Sequence, residues 1–236
     1  MADEKQFVAS PEAKAKAKQL RLFAALAWLV AIGGEVFAIL KLFGNEMLVW
    51  LIVALVVIMG LSILGSVLWK KANRMDPASE KDKFRFFVQN QLGAIMAVLA
   101  FLPLIILLLT NKDVDKKTKG IAGTVAVVAM LIAGISGVDL DPPSIERYTE
   151  QINAQTTELE ELTNGVNHVY WTRAGNKYHI FSDCYHIKNR DQFEGTVKDF
   201  WIDRKKDDPE LCLTCKGRIE RGEEIQLPDG VRDALE

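Results

Sequence analysis

Four long apolar stretches in the first 140 residues constrain this chain more than any other feature of its sequence. They run from about 20 to 42, from 47 to 68, from 87 or 92 to 109, and from 121 to 138. A bilayer core takes about 20 consecutive apolar residues in helical form, because every backbone N–H and C=O there must be bonded within its own segment. The sequence therefore predicts a mainly α membrane protein with four transmembrane helices.

The first stretch has an alternative interpretation as a cleaved secretory signal, because it follows a basic cluster that ends at Arg21. A signal core has only about 7–15 apolar residues and is followed by a cleavage site with small residues. This stretch is much longer and has no clear site of that kind. We therefore interpret it as a membrane span.

Lysines and arginines in the short flanks predict which side of the membrane each terminus occupies. With the N-terminus inside, the N-terminal flank and the second loop place 11 of them in the cytosol, and the outer loops hold 5. Cytosolic loops carry the excess of positive charge, so this orientation is favoured. The third loop fits it less well, because it holds four lysines and would sit better inside if the last span were a re-entrant hairpin. Four crossings from an inside start place both termini in the cytosol.

Composition divides the chain into five segments. We predict an N-terminal flank (1–19), a four-helix transmembrane domain (20–140), an amphipathic, coiled-coil-like helix (141–165), a compact module (166–222) and an acidic tail (223–236). Prolines at 142 and 143 cannot continue a helix, and Asp141 before them is a natural helix start. Asn164-Gly165 ends the helix that follows.

The helix after the last span has apolar side chains at alternating spacings of three and four. They are Ile145, Tyr148, Ile152, Leu159 and Leu162, with Gln155 at the one remaining place. This spacing is typical of the seam of a short coiled coil, which predicts self-association through 144–162. The alternative is an amphipathic helix that lies on its own domain or on the membrane surface.

The module from 166 to 222 has the local pattern of a small α+β domain. Two short β-rich runs, 169–172 and 177–180, flank the turn sequence Ala174-Gly175-Asn176 and predict a hairpin. Apolar residues between 196 and 206 predict a short helix with Thr196 as its N-cap.

All three cysteines of the chain lie in this module, as Cys184, Cys212 and Cys215, and His179 lies five positions before the first. Tetrahedral zinc takes four ligands of these types, and a Cys-x2-Cys pair reaches one ion from a single turn. Thiols stay reduced in the cytosol, and a module this small gains stability from a metal. We therefore predict a structural Zn²⁺ site. His186 is the alternative fourth ligand, but His179 would leave its strand on the side of the metal.

The run 169–179, then Cys184 and Ile187, and finally Leu211-Cys212-Leu213-Thr214-Cys215, resembles a known family. It is similar to the small zinc modules related to the metal-binding domain of the Ada methyl-phosphotriester repair protein, some of which are appended to bacterial secreted nucleases. The resemblance covers about 168–217 and does not account for the four spans. In the repair protein all four ligands are cysteines, one of which accepts a methyl group. His179 stands at that position here, so the resemblance implies a structural ion rather than methyl transfer.

Members of that family are linked with DNA, but the charge of this tail disfavours nucleic-acid binding. Residues 141–236 hold 13 Lys and Arg against 20 Asp and Glu. Phosphate contacts supply most non-specific affinity for nucleic acid, and they need basic side chains. The one local basic cluster, Arg204, Lys205 and Lys206, is followed at once by Asp207 and Asp208.

Polar and small residues within the spans are further candidates for function. Glu35 is the most suggestive, because an ionisable group in the bilayer is costly and often functional. The alternative is a protonated or hydrogen-bonded packing residue. We interpret 89–91 as an interfacial helix start and expect Pro103 to kink the third span. Small residues in the fourth span predict close helix packing: Gly123, Ala126, Ala133, Gly134 and Gly137.

No catalytic set emerges from the sequence, which shows no nucleophile with a base, no phosphate-binding loop and no open metal site. We therefore predict no enzyme. The leading hypothesis is an integral protein of a bacterial inner (plasma) membrane whose cytosolic structural-zinc module binds an unknown protein partner or directs assembly. One alternative is an oligomeric small channel or transporter that uses Glu35. Another is a membrane-tethered nucleic-acid-binding protein.

Overall fold

A computed structural model of the chain describes residues 6–203 and 209–225. The chain forms two compact units. A helical unit contains residues 11–144, and a C-terminal unit contains the residues before 11 together with those from 145 onward. Lys5, the basic cluster at 204–206 and the acidic tail beyond 225 lie outside the described residues.

The helical unit contains four helical segments that are long and apolar enough to cross a membrane. They are Pro11–Lys41, Asn45–Met75, Lys83–Thr110 and Lys116–Gly137, with mean hydropathies from 2.0 to 2.9. Large apolar side chains on their outer faces are exposed, such as Trp50 (64%) and Ile135 (75%), as expected for helices that face lipid. The prediction of four apolar helices is confirmed, but several of them extend well beyond the predicted spans.

The five α-helices of this unit begin and end at defined residues. They are α1 (Pro11–Lys41), α2 (Leu48–Met75), α3 (Lys83–Leu99), α4 (Leu102–Thr110) and α5 (Lys116–Gly137). Asp82 caps α3, since its Oδ1 accepts a hydrogen bond from the backbone N–H of Arg85 at 3.0 Å. Residues 89–91 therefore lie inside the helix, and their interpretation as its start is wrong.

The third span is interrupted between α3 and α4, as Pro103 predicts. Proline has no N–H to donate, and its ring would clash with the carbonyl group of Leu99 in a continuous helix. The Glu35 side chain compensates for part of this break, because its Oε1 accepts a hydrogen bond from the Leu104 N–H at 3.0 Å. Glu35 is buried. Its hydrogen bond to the Leu104 N–H is typical of a packing residue. The sequence left two interpretations of Glu35 open, a functional ionisable group and a packing residue of this kind.

Small residues let α3 and α5 approach closely. A Cβ atom added at Gly137 would overlap the backbone of Gly93 and Ala94, so only glycine fits there. The prediction of close packing is confirmed at the buried residues Gly123, Ala126, Ala133 and Gly137. It is wrong for Gly134, where an added Cβ meets nothing within 4 Å.

A polar network joins α1, α2 and α3 near the ends that carry Arg21, Asp76 and Gln89. The Arg21 Nη1 lies 2.9 Å from the Asp76 Oδ2, and the Arg21 Nη2 donates to the Asp76 carbonyl oxygen at 2.8 Å. The buried Asn73 donates to the Gln89 carbonyl oxygen at 2.8 Å. Buried polar groups that are paired in this way fix the relative position of the three helices.

The described part of the C-terminal unit contains three helices and four short strands. They are α6 (Ile145–Leu162), β1 (Val169–Thr172), β2 (Lys177–Tyr178), β3 (Gln192–Gly195), α7 (Val197–Asp203), β4 (Glu210–Leu211) and α8 (Leu213–Glu220). β1 pairs antiparallel with β3, with Val169 opposite Gly195, and β2 pairs parallel with β4. The predicted hairpin is present as a single antiparallel bridge between Tyr170 and His179, with N···O distances of 2.7 and 2.8 Å.

Local sequence patterns place the ends of two helices in this unit correctly. Thr196 caps α7, since its Oγ1 accepts from the Asp199 N–H at 3.2 Å and the Asp199 Oδ2 accepts from the Thr196 N–H at 2.9 Å. Asn164 and Gly165 end α6 with φ angles of 56° and 92°. The start of α6 differs from the prediction, because the helix begins at Ile145, beyond both prolines.

The seam of α6 packs inside its own unit. The Tyr148 ring lies 5.2 Å from the Phe7 ring and 5.3 Å from the Trp201 ring, measured between centroids. Gln155 accepts a hydrogen bond from the Trp201 Nε1 at 2.8 Å and donates to the Pro209 carbonyl oxygen at 2.6 Å. The structure thus shows an amphipathic helix on its own domain, while self-association through 144–162 stays a prediction.

Candidate metal centre

The structure brings His179, Cys184, Cys212 and Cys215 into one buried cluster. One ligand atom from each residue lies within 4.8 Å of the other three. The distance between the His179 Nδ1 and the Cys215 Sγ is 3.7 Å. Zn–S and Zn–N bonds of about 2.3 and 2.0 Å at tetrahedral angles place nitrogen and sulfur roughly 3.6 Å apart, and two sulfurs roughly 3.8 Å apart. The cluster could therefore hold a metal ion after contractions of no more than about 1 Å.

The first two cluster residues come from a strand end and a tight turn. His179 directly follows β2, and its backbone bonds to Tyr170 hold it against β1. The Cys184 N–H donates to the Phe181 carbonyl oxygen at 3.2 Å, and its own carbonyl accepts from Ile187 and Lys188, each at 2.9 Å. These bonds curl the chain around Cys184, so its side chain turns back toward the end of β2.

The second pair is carried by the beginning of α8. Cys212 is the N-cap of this helix, and Cys215 lies in its first turn. The Cys212 N–H donates to the Tyr178 carbonyl oxygen at 2.9 Å, which extends the parallel pairing of β2 with β4. That one bond places the Cys-x2-Cys pair beside His179, although 32 residues lie between His179 and Cys212 in the chain.

Burial controls the protonation of the cluster. It lowers the pKa of His179 to about 4, assisted by the charges of His186 and Lys177, so the imidazole is neutral at pH 7 and has a lone pair for a metal. Burial raises the pKa of Cys215 to about 12 and also raises the pKa of Cys184. A divalent cation reverses the preference of the thiols, because a coordinating thiol is deprotonated. Three thiolates and a neutral imidazole would leave one net negative charge around such an ion.

His186 does not belong to the cluster. Its side chain is exposed, and its Nε2 lies 3.1 Å from the Thr214 Oγ1. His179, in contrast, is buried with the three cysteines. Of the two histidines that the sequence offered, the structure therefore places His179 among the candidate ligands.

Sequence reasoning missed the ion-pair network that supports the cluster. Arg218 contacts both carboxylate oxygens of Asp183, at 2.7 and 3.1 Å, and the Glu223 Oε2 at 2.6 Å. Its guanidinium carbon lies 3.9 Å from the centroid of the Phe181 ring. Arg218 thereby ties the turn before Cys184 to α8, and its hydrogen bond lowers the pKa of Asp183. Arg218 and Asp183 are 35 positions apart in the chain, so no local spacing pattern in the sequence predicts their contact.

Comparison with known protein families, with curated proteins and with solved structures found no match for this chain. The metal centre therefore stands on its geometry. The resemblance to Ada-like modules stays a prediction. This chain is established as one with four helices long and apolar enough to span a membrane and a C-terminal unit whose buried His179, Cys184, Cys212 and Cys215 could hold a metal ion.

Proposed function

We propose that this chain is a multi-pass membrane protein whose C-terminal unit is a structural-zinc module that serves as an interaction or assembly element. The observation that carries the proposal is the buried set of one imidazole and three thiols. Cys3His is a common ligand set of structural zinc sites, which take all four ligands from the protein. Such a closed shell leaves no position for a substrate or an activated water, so the proposed role is not catalytic.

The secondary structure of the C-terminal unit supports a structural role for the metal. Its sheets have two strands each, and two of the four strands contain only two residues. Two-stranded sheets are marginally stable in water, and small domains often need a metal in addition to their core. A bound ion would join the end of β2, the turn at Cys184 and the start of α8, which lie far apart in the sequence.

The packing of Phe7 supports the proposed topology. Phe7 precedes the first candidate span, and Tyr148 follows the last, yet their rings are in contact within the C-terminal unit. The Phe7 N–H also donates to the Thr149 Oγ1 at 2.9 Å. This contact supports a topology in which both segments lie on the same side of the membrane, as an even number of crossings requires. We place that side in the cytosol of a bacterial cell, where thiols stay reduced.

The proposal does not include transport or nucleic-acid binding. Glu35, the residue on which a transport path would depend, is engaged with the Leu104 N–H. The acidic balance of residues 141–236 disfavours nucleic acid as a partner.

Metal analysis of the purified full-length chain tests the proposed zinc module. We expect about one zinc ion per chain in the wild type and almost none in Cys212→Ser, because serine is a poor zinc ligand at neutral pH. A wild-type chain without zinc would overturn the proposed metal centre.

The assembly role is tested separately by the native mass of the chain after gentle solubilisation from its own membrane. We expect the wild type in a complex heavier than one chain, and Cys212→Ser released from it. Equal masses for the two chains, with zinc present in the wild type, would contradict the assembly role alone.

A further inference from the structure

Two exposed apolar side chains directly follow cysteines of the metal centre. Tyr185, after Cys184, is 78% exposed, and Leu213, after Cys212, is 74% exposed. The bond between His186 and Thr214 holds the two turns side by side. We call residues 185–190 together with 213 and 214 the knuckle surface. Large apolar side chains at the tips of two neighbouring turns contribute nothing to the core of the unit, so they require another explanation.

Basic side chains surround this pair of apolar residues. A cavity of about 460 Å³ is lined in part by Lys177, His186, Arg190 and Leu213. A second cavity of about 340 Å³ is lined by Tyr185, His186, Lys188, Asn189 and Arg190. No acidic side chain lines either cavity within the described part of the chain. This is notable in a tail where acidic residues outnumber basic ones by 20 to 13.

Neither of the two central cations of the knuckle surface forms an ion pair among residues 6–203 and 209–225, although the charge of Lys188 helps to lower the pKa of Asp183. The Lys188 Nζ lies 5.7 Å from the centroid of the Tyr185 ring, and Arg190 forms no side-chain hydrogen bond or ion pair there. By contrast, Arg218 and Lys216 of the same unit are paired with Asp183 and Glu158. The charge of Lys188 and Arg190 is therefore available to an external anion.

We propose that the knuckle surface docks on the anionic phospholipid headgroups of the bilayer that holds the chain's own helices. Lys188 and Arg190 would pair with headgroup phosphates, for which basic side chains near the membrane surface are suited. The amphipathic ring of Tyr185 is of the type that sits at headgroup level, and Leu213 would enter the boundary of the acyl chains. The inference rests on the proposed function, because it requires the C-terminal unit to be beside a bilayer.

The covalent connection to the spans favours this partner over a soluble one. α5 ends at Gly137 and α6 begins at Ile145, so the connection of seven residues reaches no more than roughly 25 Å. A tethered site has a high effective concentration of its target, so weak contacts suffice. Two basic side chains near an anionic surface predict roughly a 30-fold gain in occupancy over a neutral membrane.

Hydrogen–deuterium exchange of the full-length chain in lipid nanodiscs tests the docking. One set of nanodiscs contains phosphatidylcholine only, and the other also contains phosphatidylglycerol. We expect slower exchange in peptides that cover 182–191 and 211–216 only with phosphatidylglycerol. The double variant Lys188→Glu with Arg190→Glu should lose this protection. The control Arg221→Glu reverses an exposed charge outside the knuckle surface, where the ion pair with Glu223 is 3.5 Å long, and should keep it.

Zinc content, measured on the same samples, separates failure of the docking from failure of the proposed metal centre. About one zinc per chain with equal exchange in both lipids overturns the docking alone. Lipid-dependent protection in a chain without zinc supports the docking and overturns the zinc module. Protection by a DNA duplex in neutral nanodiscs, without any effect of phosphatidylglycerol, assigns the surface to nucleic acid and overturns the lipid proposal.

Discussion

Replacing His179 with alanine should abolish metal binding, whereas replacing His186 should leave it intact. The His179 side chain is 4% exposed, and its Nδ1 lies 3.7 Å from the Cys215 Sγ. Changes in the groups that merely support metal ligands cost about 10–100-fold in metal affinity, so loss of a ligand should cost more than about 100-fold, or about 2.7 kcal/mol. The strand pairing of His179 with Tyr170 uses backbone atoms and survives the substitution.

His186→Ala is the matched control because it removes an imidazole from the same module. Its side chain is exposed, and its described contacts are with the Thr214 hydroxyl and the exposed Tyr185 ring, besides the His179 ring at 6.3 Å, so the free energy of unfolding should change by no more than about 0.5 kcal/mol. A third variant, His179→Cys, should retain zinc, since four cysteines also form a closed tetrahedral set. These three variants distinguish loss of the ligand from loss of a side chain in general.

The assay is zinc content per chain, followed by competition with a chromogenic chelator, on full-length protein in detergent. We expect about one zinc in the wild type, in His186→Ala and in His179→Cys, and a much weaker site in His179→Ala. Retention of tight zinc by His179→Ala together with its loss from His186→Ala would refute the ligand assignment.

Other perturbations test the packing and the chemistry of both units. Gly137→Ala should destabilise the helical unit by about 1–3 kcal/mol in thermal unfolding, since the added Cβ meets backbone atoms, while Gly134→Ala should not destabilise it, because the added Cβ has room and alanine favours a helix. Glu35→Gln should be tolerated because the amide oxygen can still accept the hydrogen bond from the Leu104 N–H. Glu35→Leu leaves that buried N–H unpaired, at a cost of about 1–3 kcal/mol. Equal melting temperatures of the two variants would contradict the role of Glu35 as a hydrogen-bond acceptor. Phe7→Ala should destabilise the C-terminal unit by about 3 kcal/mol, which limited proteolysis would detect as faster cleavage after the last span. Acidification should release the metal, because protons compete with zinc for three thiolates. The zinc affinity should therefore fall by about 10³-fold per pH unit. A zinc affinity that does not change with pH would exclude thiolate ligands.

The sequence predicted the helical unit well where the bilayer itself imposes the pattern. Four apolar stretches are required by the absence of water in the hydrocarbon core, and all four are present as helices. The break before α4 could be predicted because Pro103 removes a backbone donor wherever it stands. The extension of α1 back to Pro11 could not, since its first turns are rich in lysine and alanine and fall outside any apolar window.

The candidate ligands were also predictable, because the short spacing within each pair limits where the side chains can point. The strands that position them were not. β3 and β4 have four and two residues, and their pairing with β1 and β2 depends on contacts across 20 to 33 positions. Such short segments carry too little local preference to be recognised, and tertiary pairing decides their conformation.

By itself, the sequence determined properties that depend on neighbours in the chain. These are the number of apolar helices, the C-terminal end of α6, the N-terminal end of α7, and the residue types that could bind a metal. Only the tertiary structure decided which surfaces meet. The spacing along α6 identified its buried face, but only the fold shows that this face packs on Phe7 and Trp201 of its own unit. Periodicity specifies that an apolar face must leave water, whereas its partner depends on which complementary surface the rest of the chain presents.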